Sequence, residues 1–258
     1  MKNKLFPSLF ALPVVTGICG AFLRASQIKH AYDLETGILR SGEPSTYGLV
    51  AVCVIAALIA ILAAFLLKNG FEIKSEKLGK ILFLSSATAS AFILVYAAMT
   101  LCSLLDEFSV PTLILGLISV YCAVAFLVLA KYSFTERDDV TYCVFSAVPS
   151  FWACFMLILA FRDKISDPII ANYAPMIFSY LSILMFCYSV AAHILGKNKK
   201  HVAVFTCFFG IFFILTELLS PIFAGGLVEI NAESIRYLLP QLAFLILMPA
   251  VTAGIIKK

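Results

Sequence analysis

Eight apolar runs, each about 20 residues long and bounded by charged or turn-forming residues, leave this chain few ways to fold. They cover approximately residues 5–23, 47–67, 81–104, 110–130, 142–161, 169–194, 202–223 and 237–256. An α-helix rises about 1.5 Å per residue, so each run is long enough to cross about 30 Å of hydrocarbon. The links are short and polar, from Lys68 to Lys80, Asp106 to Ser109, Lys131 to Thr141, Arg162 to Pro168, Gly196 to His201 and Ala224 to Arg236. Only Arg24 to Thr46 is longer, and none has room for a soluble domain. Charged residues make up 13% of the chain, about half the share of a soluble domain, which excludes a water-soluble globule. The 62% of hydrophobic residues excludes a disordered chain. The expected fold is therefore all-α: a polytopic transmembrane helix bundle of about eight spans, one integral membrane domain over 1–258, multi-pass in the cell membrane.

Boundary residues agree with this division. Ser109 precedes Val110-Pro111 and Asp167 precedes Pro168, an N-cap followed by an early proline in each case, and Asn231 is placed to cap the eighth helix. Lys2 and Lys4 before the first run also fit a signal peptide. Arg24 follows too soon, however, and Ile18 in Thr16-Gly17-Ile18-Cys19 stands where a lipoprotein cleavage box needs a small residue, so the first span is expected to be retained. Thirteen of the nineteen Lys and Arg residues then fall on one side, among them Lys2, Lys4, Lys68, Lys74, Lys77, Lys80, Lys131, Arg137 and Lys197. Arg24, Lys29, Arg40, Arg162, Lys164 and Arg236 fall on the other. Cytoplasmic loops retain positive charge, so both termini are predicted to be cytoplasmic. The net charge of +4 belongs to this asymmetry and implies no nucleic-acid partner.

Helices in lipid associate through close packing of small residues. Ser86-xxx-Ser90 and Ala87-xxx-Ala91 in the third run and Thr112-xxx-Gly116 in the fourth predict such seams. Pro13, Pro149, Pro175, Pro240 and Pro249 lie inside runs, where each removes a helix hydrogen bond and bends its helix. All eight cysteines lie within runs, with no C-x-x-C, and are expected to be free thiols acting as small apolar residues.

Glu217 is the one acid inside an apolar run. It lies about 22 Å along the seventh, in the outer half, and intramembrane acids usually face a cavity or a partner. Either it lines a functional pocket, or it pairs with a basic residue such as Arg24 or Arg162. Asn172 and Tyr173 in the sixth run, Gln241 beside Pro240 in the eighth, and Arg24 with Gln27 at the end of the first fall at similar depth. Together with Glu217 they are predicted to form an outward-facing polar pocket for a small polar solute.

The stretch Arg24 to Gly37 has Ile28, Ala31, Tyr32 and Leu34 at helical spacing and reads as a surface helix extending the first span. His30 and Asp33 within it are too few ligands for a metal. Asp163 and Asp167 have the D-x-x-x-D spacing of membrane prenyltransferases, which need a second such motif that the chain lacks. There is no H-E-x-x-H, no G-x-S with a partner His at membrane depth, no G-x-G-D beside Tyr32-Asp33 and no Gly-rich phosphate loop. Nothing marks an enzyme, and no metal or cofactor is implied.

The pattern R-x-x-Q-x-x-x-A-x-D-x-E-T-G formed by Arg24, Gln27, Ala31, Asp33, Glu35, Thr36 and Gly37 resembles small, uncharacterised polytopic membrane proteins of anaerobic Firmicutes. The resemblance covers the whole chain by layout, is specific only in this stretch, and implies no function. The functional expectation is thus a solute-binding or transport component whose partners are the lipid bilayer and a small polar solute. The alternative is a non-catalytic membrane subunit or sensor that assembles with a membrane-protein partner.

Overall fold

A computed structural model describes residues 2–31, 42–67, 75–105, 108–131, 140–164, 170–197, 199–225 and 232–256. These contain eight helices: α1 (Lys2–His30), α2 (Pro44–Leu66), α3 (Ser75–Cys102), α4 (Val110–Lys131), α5 (Val140–Lys164), α6 (Ile170–Ile194), α7 (Lys200–Phe223) and α8 (Ala232–Ile256). Each is long and apolar enough to span a membrane, so the protein is a polytopic helical membrane protein. Large apolar side chains such as Phe65, Leu84 and Phe151 point outward, where lipid is their natural solvent.

Helix ends follow local chemistry. Gly42 with φ of +88° lets the chain turn into α2, whose first residue is Pro44, a position where the missing N–H costs nothing. Gly196, at φ of +83°, closes α6: Lys197 N–H reaches Ala192 C=O at 2.9 Å and Gly196 N–H reaches His193 C=O at 3.1 Å, the paired bonds of a Schellman motif. This stop makes the α6–α7 connection tight. Leu113 N–H bonds Ser109 C=O, so α4 begins where the sequence placed it. Asp167 and Asn231, the other expected caps, lie outside the described residues. α1 runs unbroken through Arg24 to His30, so the expected surface helix is a continuation of the span. Its remainder, with Asp33, falls outside the described residues.

Helices α3, α4, α5, α6 and α8 close a ring, each touching the next, while α7 packs at the α6–α8 junction and carries α1 and α2 on its far side. Glycine sets the closest approaches. A Cβ on Gly17 would come within 2.8 Å of Leu215 Cβ, and one on Gly20 within 2.6 Å of Thr216 Oγ1. That seam is further joined where Thr216 Oγ1 contacts Gly17 C=O at 3.4 Å. Between α3 and α4, Gly116 admits Leu101, and Ser90 Oγ donates to Ala123 C=O at 2.8 Å. Of the expected α3 seams, Ser86 and Ser90 face the packed side, whereas Ala91 faces outward. All eight cysteines are free thiols.

The residues that meet across the seams fix helix directions. Residues 10, 17 and 22 of α1 lie against 208, 215 and 223 of α7, so these two run parallel. Leu82 of α3 and Ser103, just past its end, lie against Gly254 and Arg236 of α8, so these run antiparallel. The end of the bundle bearing residues 2 and 256 is called proximal below, and the opposite end, where α1 gives way to α2, distal.

Candidate functional site

The five-helix ring encloses a cavity toward each end. The proximal one is lined by Leu82 and Ser86 of α3, Phe126 and Leu129 of α4, Tyr142, Ser146 and Pro149 of α5, Phe186, Cys187, Val190, His193 and Ile194 of α6, and Leu247, Val251, Gly254 and Ile255 of α8. Every ring helix contributes, and most of the wall is apolar. It offers about 80 Å³ to water centres, room for several waters at roughly 10–15 Å³ each. The distal cavity is smaller, about 30 Å³, and is lined by Tyr96, Thr112, Leu115, Met156, Leu159, Ala160, Arg162, Arg236 and Tyr237.

Between them lies a dry layer. Ile93 of α3, Ser119 of α4, Trp152 of α5, Ile183 of α6 and Phe244 of α8 are all fully buried. Trp152 stacks on Phe244 with centroids 5.7 Å apart, Phe126 meets the Phe244 ring edge-on at 5.8 Å, and Tyr96 meets Trp152 edge-on at 6.3 Å. Trp152 Nε1–H donates to Ser119 Oγ at 2.8 Å, and that hydroxyl donates onward to Leu115 C=O at 2.7 Å. Both polar groups of the layer are thereby satisfied without water, and the indole is held in one orientation. From Pro149 on the proximal side to Met156 on the distal side the layer is two helical turns thick, about 10 Å. The two helices that bring its largest rings also carry interior prolines, Pro149 in α5 and Pro240 and Pro249 in α8. Each proline removes a backbone hydrogen bond, which makes bending at that point less costly.

On the distal side of the layer the buried polar groups are poorly matched. Thr100 Oγ1, Tyr180 OH, Gln241 Oε1 and Arg236 Nε have no hydrogen-bond partner among the described residues, although Thr100 and Tyr180 are fully buried and Gln241 is 2% exposed. Gln241 Nε2 reaches Ser179 Oγ only at 3.5 Å, and Arg236 Nη1 reaches Ser103 Oγ at 3.3 Å. Tyr96 OH has the thioether of Met156 as its acceptor at 3.0 Å, a weak one. In an apolar interior such groups favour any ligand that completes their hydrogen bonds.

The six residues expected to form one outward pocket are distributed around α7. Arg24 and Gln27 are buried on α1 and hydrogen-bonded to each other, and Gln27 Nε2 donates to Thr46 Oγ1 of α2 at 3.0 Å. Glu217 is half-buried on α7, one turn below Ser220 and beside Thr216, which touches Gly20. That places Glu217 level with the turn of α1 that holds Gly20, about one turn short of Arg24. Tyr173 is buried in the main core on α6. Asn172 lies in α6, with its side chain outside the described set. Gln241 faces Ser179 inside the ring. Tyr180 lies near both groups, interacting with Tyr96, Tyr237, Glu217 and Arg236 in decreasing order. Of the five whose side chains are described, none lines either cavity of the ring.

Sequence reasoning passed over Arg236, Tyr96, Tyr180 and Trp152, and considered Arg162 only as a partner for Glu217. The two arginines stand at span ends and read as loop charges. One signal was present for Trp152, the only tryptophan in the chain, lying mid-span rather than at an interface where tryptophan is usually found.

No protein-family model, curated protein or solved structure matches this chain.

Proposed function

We propose that this membrane protein binds and moves a small polar solute along the axis of the five-helix ring. The observation that carries the reading is the pair of cavities in one ring, separated by a dry layer only about 10 Å thick whose two largest aromatic rings, Trp152 and Phe244, ride on proline-containing helices. A sealed middle with a chamber on either side fits a path whose two halves open by rocking of helices about the barrier. Tilting α5 and α8 about their prolines would part Trp152 from Phe244 and expose Tyr180 and Gln241 to solute. Both polar groups then gain partners that the closed form denies them.

Reconstitution tests this. In proteoliposomes holding the Cys-free protein with Thr112→Cys in the distal cavity or Ser146→Cys in the proximal one, a small membrane-impermeant thiol reagent should modify the two from opposite faces. If both are modified from one face only, or neither reacts, the cavities do not belong to one transmembrane path. The protein is then better read as a non-catalytic membrane subunit or sensor whose polar groups serve packing.

A further inference from the structure

We infer that the proximal cavity is a binding site for a small neutral amphiphile, a molecule with an apolar body and one hydroxyl-type end. The site goes beyond the pathway reading and does not depend on it, since a chamber open to one face only would hold the same ligand. Ser86 supplies its polar end. A serine within a helix commonly returns its hydroxyl to a carbonyl of the preceding turn, as Ser85 does to Leu82 C=O at 3.1 Å and Ser146 to Cys143 C=O at 2.7 Å. Ser86 is only 3% exposed, lines the cavity and makes no hydrogen bond among the described residues. Its hydroxyl has a proton and lone pairs to offer an occupant, and in a mostly apolar wall an occupant able to use them is favoured.

The wall is graded by depth. Ser86 and Ser146 lie about 10 Å along their helices from the layer residues Ile93 and Trp152. Between that level and the layer the lining is Pro149 of α5, Phe186 and Cys187 of α6 and Leu247 of α8, with the Phe126 ring of α4 set edge-on to Phe244. Tyr142 and His193, which have interactions of their own, stand nearer the proximal end. Among the described lining residues there is no Asp, Glu, Lys or Arg, and burying an ion against such a wall is costly. The space of about 80 Å³ corresponds to about five to eight waters at roughly 10–15 Å³ each, so an occupant has about that many non-hydrogen atoms. Its apolar body leaves water for Phe126, Phe186 and Leu247, and its hydroxyl meets Ser86.

The probe is para-fluorophenol, with para-fluorotoluene as its counterpart lacking the hydroxyl. Fluorine NMR follows each during titration into wild-type protein in nanodiscs of zwitterionic lipid. Partition into empty nanodiscs rises linearly, whereas a protein site saturates. The phenol should show one saturable site per chain, and the toluene should occupy it about 3- to 10-fold more weakly, as the loss of one hydrogen bond implies. Ser86→Ala should bring the phenol to the affinity of the toluene and leave the toluene unchanged. Ser146→Leu fills the cavity, and the wild-type hydroxyl bonds only within its own helix, so saturable binding of both probes should disappear. Tyr121→Phe, which removes an exposed hydroxyl from α4, should change neither. Gel filtration and thermal unfolding confirm that each variant is folded. If Ser146→Leu is not, Val190→Ile adds one methylene to the same wall and should weaken both probes. Absence of saturable phenol binding to the wild type, or binding unaltered by the cavity-filling variant, overturns the inference. So does equal affinity for the two probes, or a phenol affinity unchanged in Ser86→Ala, because the hydroxyl pairing is then lost. The pathway reading is decided separately, by the faces from which Thr112→Cys and Ser146→Cys react.

Discussion

The two cavities of the ring are built by the same helices and differ in chemistry. The proximal one is larger and mostly apolar, with Ser86, Ser146, Tyr142 and His193 as its polar groups. The distal one is smaller and carries two arginines beside three hydroxyl groups. The difference lies in which turns of α5 and α8 reach the axis at each level. α5 presents Tyr142, Ser146 and Pro149 proximally and Met156 to Arg162 distally, while α8 presents Leu247 to Ile255 proximally and Arg236 and Tyr237 distally. The contrast teaches that the asymmetry needed for directional binding comes from two helix ends, with the common layer of Trp152 and Phe244 deciding whether the ends communicate.

Removing that layer should have the largest effect. Trp152→Ala with Phe244→Ala joins the cavities, and release of a small entrapped solute from proteoliposomes should rise at least about tenfold over wild type. Each truncation also removes a fully buried ring, costing about 3–5 kcal/mol, so folding is checked by gel filtration and thermal unfolding before flux is measured. Wild-type flux through a folded double variant would separate the cavities for good.

Ser119→Ala acts on the layer alone. It takes the acceptor from Trp152 Nε1 and leaves a buried donor unsatisfied, at a cost of about 1–3 kcal/mol. Thermal unfolding should show the loss, and an unchanged melting temperature would mean that stacking on Phe244 alone holds the indole. The smallest effect is expected at Glu217, outside both cavities. Glu217→Gln should lower stability by about 1 kcal/mol or less, as for other partly exposed charges, with solute flux unchanged. Lost flux at an unchanged melting temperature would instead put Glu217 in the binding site through its electrostatic link to Tyr180.

Sequence alone determined the number of helices, because a bilayer imposes a fixed length of apolar residues on any segment that crosses it, whereas α1 runs on to His30 and α3 and α8 begin at Ser75 and Ala232, each beyond the apolar run itself. It determined the Ser109 boundary of α4 and the small-residue seam at Ser86 and Ser90 for equally local reasons: capping and close packing depend on residues within one or two turns. It also placed Glu217, Gln241 and Tyr173 in one half of the bundle, since depth follows from counting residues along a helix. Azimuth and neighbours are different. Which face of a span turns inward is weakly encoded when lipid and protein interior are equally apolar, so Arg236 read as a loop charge and Trp152 as one aromatic residue among many. Only the tertiary structure decided that α7 stands between Arg24 and the ring, that Arg162 and Arg236 share a cavity, and that Trp152 seals the axis. Those facts rest on contacts between helices distant in sequence, and no local rule fixes them.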